Sequence, residues 1–229
     1  MNIAIPYRLA HNGIELKFML RSIEKNLTGY KDIYIVGDRL PDWLTNVKQI
    51  TQGEEAQKSS RNIINKILAA SRSISDDKFI RWDDDIYLNQ PLDVKDIKYW
   101  YEGTLSDQIK EHRNNVRYRR YIENTAFKIT DSALYYDIHV PMIYETKHLG
   151  FVKDYSWETN YLSKSLYCHH AGVEGVEVKD VKLKAAAEEK EVREAIEGKM
   201  FFCTGPQTMC PLVNDILTEL YPNKSKYET

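Results

Sequence analysis

The apolar positions change period several times along the first ninety residues. Residues 2–6 (Asn-Ile-Ala-Ile-Pro) are a short apolar run that predicts a strand ending in Pro6-Tyr7-Arg8. Ile14, Leu16, Phe18, Met19, Leu20, Ile23 and Leu27 then recur near helical spacing and predict an amphipathic helix over 14–27. Asp32-Ile-Tyr-Ile-Val36 predicts a buried strand, stopped by Gly37-Asp38 and Pro41, and Val47 to Ile50 a weaker one. A long helix follows from about Glu54 to Ser73, with Ile63, Ile64, Ile67 and Leu68 on one face, and Phe79 to Trp82 is the next strand. Strands alternating with helices predict an α/β fold with a mostly parallel central sheet flanked by helices. In such sheets a ligand crevice lies outside the carboxyl ends of the strands. Pro6-Tyr7-Arg8, Gly37-Asp38 and Asp83-Asp84-Asp85 all fall at such ends, so three loops are expected to converge.

After residue 100 the pattern loosens. Arg113, Arg117, Tyr118, Arg119, Arg120 and Tyr121 fall within nine residues. They read equally as a basic segment that grips a diphosphate or anionic acceptor and as a solvated helix face balanced by Glu111 and Glu123. Residues 184–199, rich in Ala, Glu and Lys, predict an exposed helix without chemistry. No repeat or low-complexity linker interrupts the chain, which predicts one continuous domain over 1–229.

Bulk composition narrows the classes. With 42% hydrophobic and 29% charged residues, the 229-residue chain is ordinary for a soluble globular protein. A formal net charge of −2 gives no general attraction to nucleic acid or to an anionic membrane. No apolar run approaches the ~20 residues that cross a bilayer, and the N-terminus reads as a strand, not a secretory signal. Three cysteines without zinc-type pairing suit reduced thiols in a cytoplasm.

Chemistry concentrates at Asp83-Asp84-Asp85, set between Phe79, Ile80 and Trp82 on one side and Ile86, Tyr87 and Leu88 on the other. Adjacent like charges beside a core are costly unless paired, and a hard cation such as Mg²⁺ or Mn²⁺ relieves them while sharing its shell with substrate phosphates. In an extended segment alternate side chains share a face, so Asp83 and Asp85 are expected to converge as metal ligands and Asp84 to point away. The bland reading is an acidic surface turn, against which the apolar flanks argue. Arg8, Arg61 and Arg81 are candidate partners of a diphosphate, and Asp38 of a base or ribose, unless it caps a turn. His139, between Asp137 and Pro141, is a candidate proton acceptor or late metal ligand. His169-His170 point to different faces and make a poor chelating pair.

Several blocks add a likeness. Glu15-Leu-Lys-Phe-Met-Leu-Arg21-Ser-Ile-Glu24, Ile33-Tyr-Ile-Val36 and Pro41-Asp-Trp43-Leu44 are followed by Asp83-Asp84-Asp85 and Asp137-Ile-His139-Val-Pro141. Phe201-Phe202-Cys203 and Pro222-Asn-Lys-Ser225-Lys-Tyr227-Glu228 close the series. In this order they resemble the Stealth family, which includes capsular polysaccharide phosphotransferases and N-acetylglucosamine-1-phosphotransferase. The family's opening V-Y-T-W-V-D-G segment is replaced by Pro6-Tyr7-Arg8, and the acidic residue usual after its cysteine region by Gly205-Pro206. The acids also fit the D-x-D motif of GT-A glycosyltransferases, whose fold the Stealth core resembles.

The resemblance implies a nucleotide-sugar-dependent transferase with a GT-A-like fold. Residues 1–98 would bind the donor and 99–229 would serve the acceptor. His139 and Asp137, with Glu15 and Arg21 of the first block, are the implied catalytic residues. Pro6, Tyr7, Arg8, Asp38, Arg61, Arg81 and Asp84 would contact a nucleotide sugar, expected to be UDP-linked, and Asp83 and Asp85 would hold Mn²⁺ or Mg²⁺. Arg117, Arg119 and Arg120 would touch phosphate or acceptor. That acceptor is a glycan or another hydroxyl, and DNA is permitted but not required. Glycosyl transfer is the leading expectation. Sugar-1-phosphate transfer, a noncatalytic nucleotide- or glycan-binding module and a metal-dependent nuclease or phosphohydrolase are the alternatives.

Overall fold

A computed structural model describes residues 1–54, 59–183, 188–205 and 208–229. The chain runs through β1 (Asn2–Pro6), α1 (Ile14–Asn26), β2 (Leu27–Thr28), β3 (Ile33–Val36), β4 (Lys48–Ile50), α2 (Ser59–Ser73), β5 (Lys78–Arg81), β6 (Ile86–Leu88) and β7 (Leu92–Asp93). It continues with β8 (Trp100–Tyr101), α3 (Leu105–Glu111), α4 (Val116–Lys128), β9 (Met142–Glu145), α5 (Ser163–Ala171), β10 (Val176–Glu177), α6 (Glu189–Ile196), β11 (Phe201–Cys203) and α7 (Pro211–Leu220). The helix expected over 54–73 is therefore seen from Ser59, and that expected over 184–199 from Glu189. Residues 55–58, residues 184–187 and Pro206 of those expectations lie outside the described residues.

Among the described residues, five strands form the central sheet in the order β4-β3-β1-β5-β9, parallel except for β9, which runs antiparallel to β5. The expectation of a mostly parallel α/β sheet holds. Burial on both faces explains why β1 and β3 read as unbroken apolar runs. Successive side chains go to opposite faces, so Ile3, Ile5, Ile33 and Ile35 pack with Leu16, Met19, Leu20 and Ile23 of α1. Ala4, Val36 and Phe79 pack instead with Ile64, Ile67 and Ala70 of α2. The α1 residues recur at i, i+3, i+4 and i+7, one stripe of a helix. Leu16 and Ile67 are both 0% exposed, and cutting either to Ala is expected to cost about 2–5 kcal/mol.

Two local features shape the sheet's carboxyl edge. Gly37 follows β3 where an added Cβ would lie 2.6 Å from the Tyr7 carbonyl oxygen, so only glycine lets these two strand ends approach. Beside them, Lys66 of α2 is buried and donates to that same carbonyl at 2.8 Å. No helix among the described residues is long and apolar enough to cross a membrane.

Candidate functional site

Because β1, β3 and β5 are parallel, their carboxyl ends at Pro6, Val36 and Arg81 share one edge, and a crevice opens there. One lobe, of ≈ 360 Å³, is lined by the acid triplet, Arg81, Asp137, His139 and Lys164. A second, of ≈ 620 Å³, adds Arg8, Asn62, Lys66 and Arg117, and both are bounded by Pro6, Ser59, Ile63 and Asp84. The α4 helix supplies one wall, with Arg117 in the second lobe and Tyr118 and Tyr121 in the first. The basic segment is thus helical from Val116, started by the Asn115 side chain accepting from Tyr118 N, with Arg113 in the turn before it, and one face of the helix meets the crevice.

The triplet is not extended. Asp83 O accepts from Ile86 N at 3.2 Å, so Asp84 and Asp85 sit at the tip of a tight turn, and strand alternation does not govern them. Trp82 Nε1 donates to Ile86 O at 2.8 Å across the turn's base, which fixes it against the core. Asp83 then differs from its neighbours. Arg81 grips it through Nε at 2.9 Å and Nη2 at 3.2 Å, and Lys164 Nζ stands 3.7 Å from Oδ2. Burial works against its charge, but the Arg81 and Lys164 cations hold its carboxyl at about 2.

Asp84 has no such relief. Burial and then the carboxylates of Asp85, Glu15 and Asp83 push its pKa well above the usual range. Asp85 is raised too, by burial and by Asp83, with His139, the Cys203 thiol and Lys182 pulling it back. Glu15, expected in the site from the first block, faces the turn and accepts from Thr204 Oγ1 at 2.9 Å. Among the described residues no three His, Cys, Asp or Glu side chains form a ready-made metal cage. The donor set nevertheless fits Mg²⁺ or Mn²⁺, which are commonly bound by one or two carboxylates plus substrate phosphates. The under-compensated pair is Asp84 and Asp85, while Asp83 already carries two cations.

His139 is held from both sides. Its Nδ1 lies 2.7 Å from Asp180 Oδ2, and its backbone N donates to Asp180 Oδ1 at 2.9 Å. A carboxylate on Nδ1 fixes the proton there and leaves Nε2 as the acceptor, 3.3 Å from Lys182 Nζ. Burial opposes the charge of Asp180, but the hydrogen bonds from the His139 ring, His139 N and Val181 N, with the attraction of His139, together lower its pKa. Asp137, expected beside His139 in catalysis, is taken up by α5. Its carboxylate accepts from Lys164 N at 3.2 Å and from Ser165 N and Oγ at 2.7 Å each, capping that helix.

The remaining candidates divide. Arg8 and Arg117 line the second lobe, and Arg81 reaches the first while holding Asp83. Tyr7 turns into the core with its ring 1% exposed, so only its carbonyl serves the strand end. Asp38 is exposed just past β3 and lines neither lobe. Arg61 pairs with Glu158 at the surface, Arg119 with Glu123, and Arg120 is exposed. Arg21 joins Glu228 near the C-terminus. His170 meets Tyr155 and stands outside the crevice. Lys66, Lys164, Asp180 and Lys182 are the residues that local sequence patterns did not reveal. Each acts through a partner at least 12 positions away, and no local spacing announces it.

No family model matches the chain, and none of the curated proteins compared with it does. Among solved structures it is similar to the galactosyltransferase LgtC in complex with donor and acceptor sugar analogues. That likeness has a TM-score of 0.57 at 14% identity and covers 99% of this chain and 97% of the other. An inositol-1-phosphate CTP transferase from T. maritima aligns over 98% of this chain and 97% of its own, at 10% identity and a TM-score of 0.44. The LgtC likeness shows the fold, the mixed α/β architecture of a GT-A glycosyltransferase.

Proposed function

We propose that this chain is a nucleotide-sugar-dependent transferase that moves a glycosyl group from a nucleotide sugar, UDP-linked in this reading, to a hydroxyl acceptor. One observation carries the proposal. The under-compensated carboxylates of Asp84 and Asp85 face His139 across the crevice that also holds Arg8, Lys66 and Arg117. Acids alone would repel a diphosphate, and cations alone would bind any anion. Together they suit a phosphate ligand that arrives with a divalent cation. Asp84 and Asp85 would hold that cation, with Asp83 as the ion-paired base of the turn. When bound, the cation would supply Lewis-acid neutralisation of the diphosphate.

The chain's own groups account for the rest. Arg8 and Arg117 bind the phosphate oxygens from the second lobe, where Lys66 is already engaged by Glu54 and the Tyr7 carbonyl. Asp180 keeps the His139 proton on Nδ1, so Nε2 accepts the proton of an acceptor hydroxyl once Lys182 moves aside. In this reading residues 1–98, joined by Arg117, carry the donor side, and the remainder of 99–229 supplies His139 and Asp180 on the acceptor side. That LgtC is solved with donor and acceptor sugar analogues supports a two-substrate reading of the crevice.

A second reading is sugar-1-phosphate transfer of the Stealth kind. It rests on the resemblance of the sequence blocks, the first and last of which meet in the Arg21–Glu228 pair outside the crevice. Incubation of the protein with nucleotide sugars, cation and acceptor, followed by nucleotide analysis, tests both. Nucleoside diphosphate supports glycosyl transfer, and nucleoside monophosphate supports the second reading. Equal nucleotide release without acceptor would point to a hydrolase.

A further inference from the structure

Lys164 is the second residue of α5, and it is 3% exposed, far from the ordinary habit of lysine. Its Nζ donates to Ile138 O at 2.9 Å and to Val140 O at 2.8 Å, the two carbonyls that flank His139. The same ammonium lies 3.7 Å from Asp83 Oδ2. An ammonium has three N–H donors, and here two hold the histidine loop while the charge faces the acid turn. Neighbouring contacts run the same way. Arg81 Nη1 donates to Ser163 Oγ at 3.2 Å, and the backbone N of Lys164 donates to Asp137. The first turn of α5 thus touches both walls of the crevice.

A buried ammonium is expensive, and two carbonyls could be tied by a neutral donor at far smaller cost. Asp83 contributes most to offsetting the cost of that charge, with Asp137 and Asp180 adding to it. Asp83, in turn, is held by Arg81 and Lys164 together. Lys164 thereby links Asp83 to the carbonyls of Ile138 and Val140, 55 and 57 positions further along the chain.

We infer that Lys164 is a positioning residue for the transfer reaction, coupling the Asp83–Asp85 turn to the His139 loop so that Nε2 and the Asp84/Asp85 carboxylates keep a fixed separation. The inference rests on the transferase reading above. Lys164 touches no substrate in this account. It acts by holding the two halves of the reacting geometry together, and a misplacement of about 1 Å can cost roughly 100-fold in rate.

The test uses Lys164→Met, which keeps the length of the side chain and removes its charge and donors. Amide hydrogen exchange by mass spectrometry is compared with wild type, alongside kcat and donor KM. The expected result is faster exchange in both 83–86 and 137–141, unchanged exchange in β1 and β3, and a kcat about 100-fold lower at nearly constant donor KM. Wild-type kcat, or a uniform rise in exchange across the sheet with kcat and KM worsening together, would overturn it. If Lys164→Met does not fold, Asp83→Asn cuts the other end of the link. Faster exchange in 137–141 in that variant supports the coupling, and exchange altered only at 83–86 refutes it. A wild type that turns over no nucleotide sugar would sink the transferase reading instead, and the exchange data would still decide whether the link exists.

Discussion

Arg21 and Glu228, 207 positions apart, close a two-pronged ion pair in which Nε–Oε1 and Nη2–Oε2 are both 2.7 Å. Arg21 Nη1 also donates to Tyr221 O at 3.0 Å, and Ser225 N donates to Glu228 Oε1 at 2.9 Å. The pair seals α1 to the C-terminal segment. Its place explains why an acid and a base in the first and last sequence blocks belong together without reaching the crevice.

Glu228→Gln is therefore expected to destabilise the fold by about 3–5 kcal/mol, the usual result of breaking a buried pair from one side, while turnover per folded molecule is kept. Burial opposes the Glu228 charge, but the Arg21 and Ser225 hydrogen bonds lower its pKa below the ordinary glutamate value. A lowered carboxyl stabilises the fold above its unfolded pKa of about 4.3, and that contribution fades as pH falls through the folded value. Thermal melts should thus show the widest gap between variant and wild type at neutral pH and a closing gap in acid. A gap that widens in acid would contradict the pairing.

Asp84 carries the opposite sign. Its raised pKa means the folded state holds the proton more tightly than the unfolded state, so its contribution is favourable at low pH and lost as pH rises. Asp84→Asn should raise Tm at neutral pH, by about 2–4 °C for each kcal/mol of repulsion removed, and the gain should vanish near pH 4. Mn²⁺ should raise the Tm of the wild type and have little effect when both Asp84 and Asp85 are Asn. A lower Tm for Asp84→Asn at neutral pH would mean the carboxylate is stabilised where it sits.

The His139–Asp180 pair makes a kinetic prediction. His139→Ala should lower kcat by about 10²–10⁴, the range for loss of a general base. Asp180→Asn should lower it comparably by offering the wrong tautomer partner, with donor KM little changed. Unaltered kcat in both variants would remove the base assignment.

Cations in the second lobe should act on binding. Arg8→Ala and Arg117→Ala are each expected to raise donor KM by roughly tenfold, the loss of one charge-assisted hydrogen bond, with kcat nearly constant. Arg61→Ala and Arg120→Ala, at the surface, should leave both constants unchanged. Initial-rate kinetics at two ionic strengths would check this, since steering by exposed cations weakens with salt.

Much of this architecture is legible in local pattern. Ile3, Ile5, Ile33 and Ile35 announce β1 and β3 because a strand covered on both faces has no polar positions to interrupt it. Their shared direction then places Pro6 and the triplet on one edge. Direction at the triplet is less legible, because Asp84 and Asp85 lie in a turn closed by Asp83 O and Ile86 N, and the two-residue period of a strand no longer applies. Asp137 reads as a partner of His139 by adjacency, yet its carboxylate caps α5, whose first turn begins 26 residues later. Asp180 and Lys164 are invisible locally. Each sits in an ordinary polar stretch and gains meaning only from a loop it meets in three dimensions.

The central claim is that one crevice binds a nucleotide sugar together with a divalent cation. Its most direct test is a thermal-shift screen of nucleotide sugars with and without Mn²⁺ or Mg²⁺, on wild type and Asp85→Ala. A ligand at a hundredfold excess over its Kd adds about 2.7 kcal/mol to native stability. One nucleotide sugar is expected to raise Tm only when the cation is present, and Asp85→Ala is expected to abolish the shift. No shift with any nucleotide sugar at concentrations well above millimolar affinity, or a shift of equal size without cation and in Asp85→Ala, would contradict it.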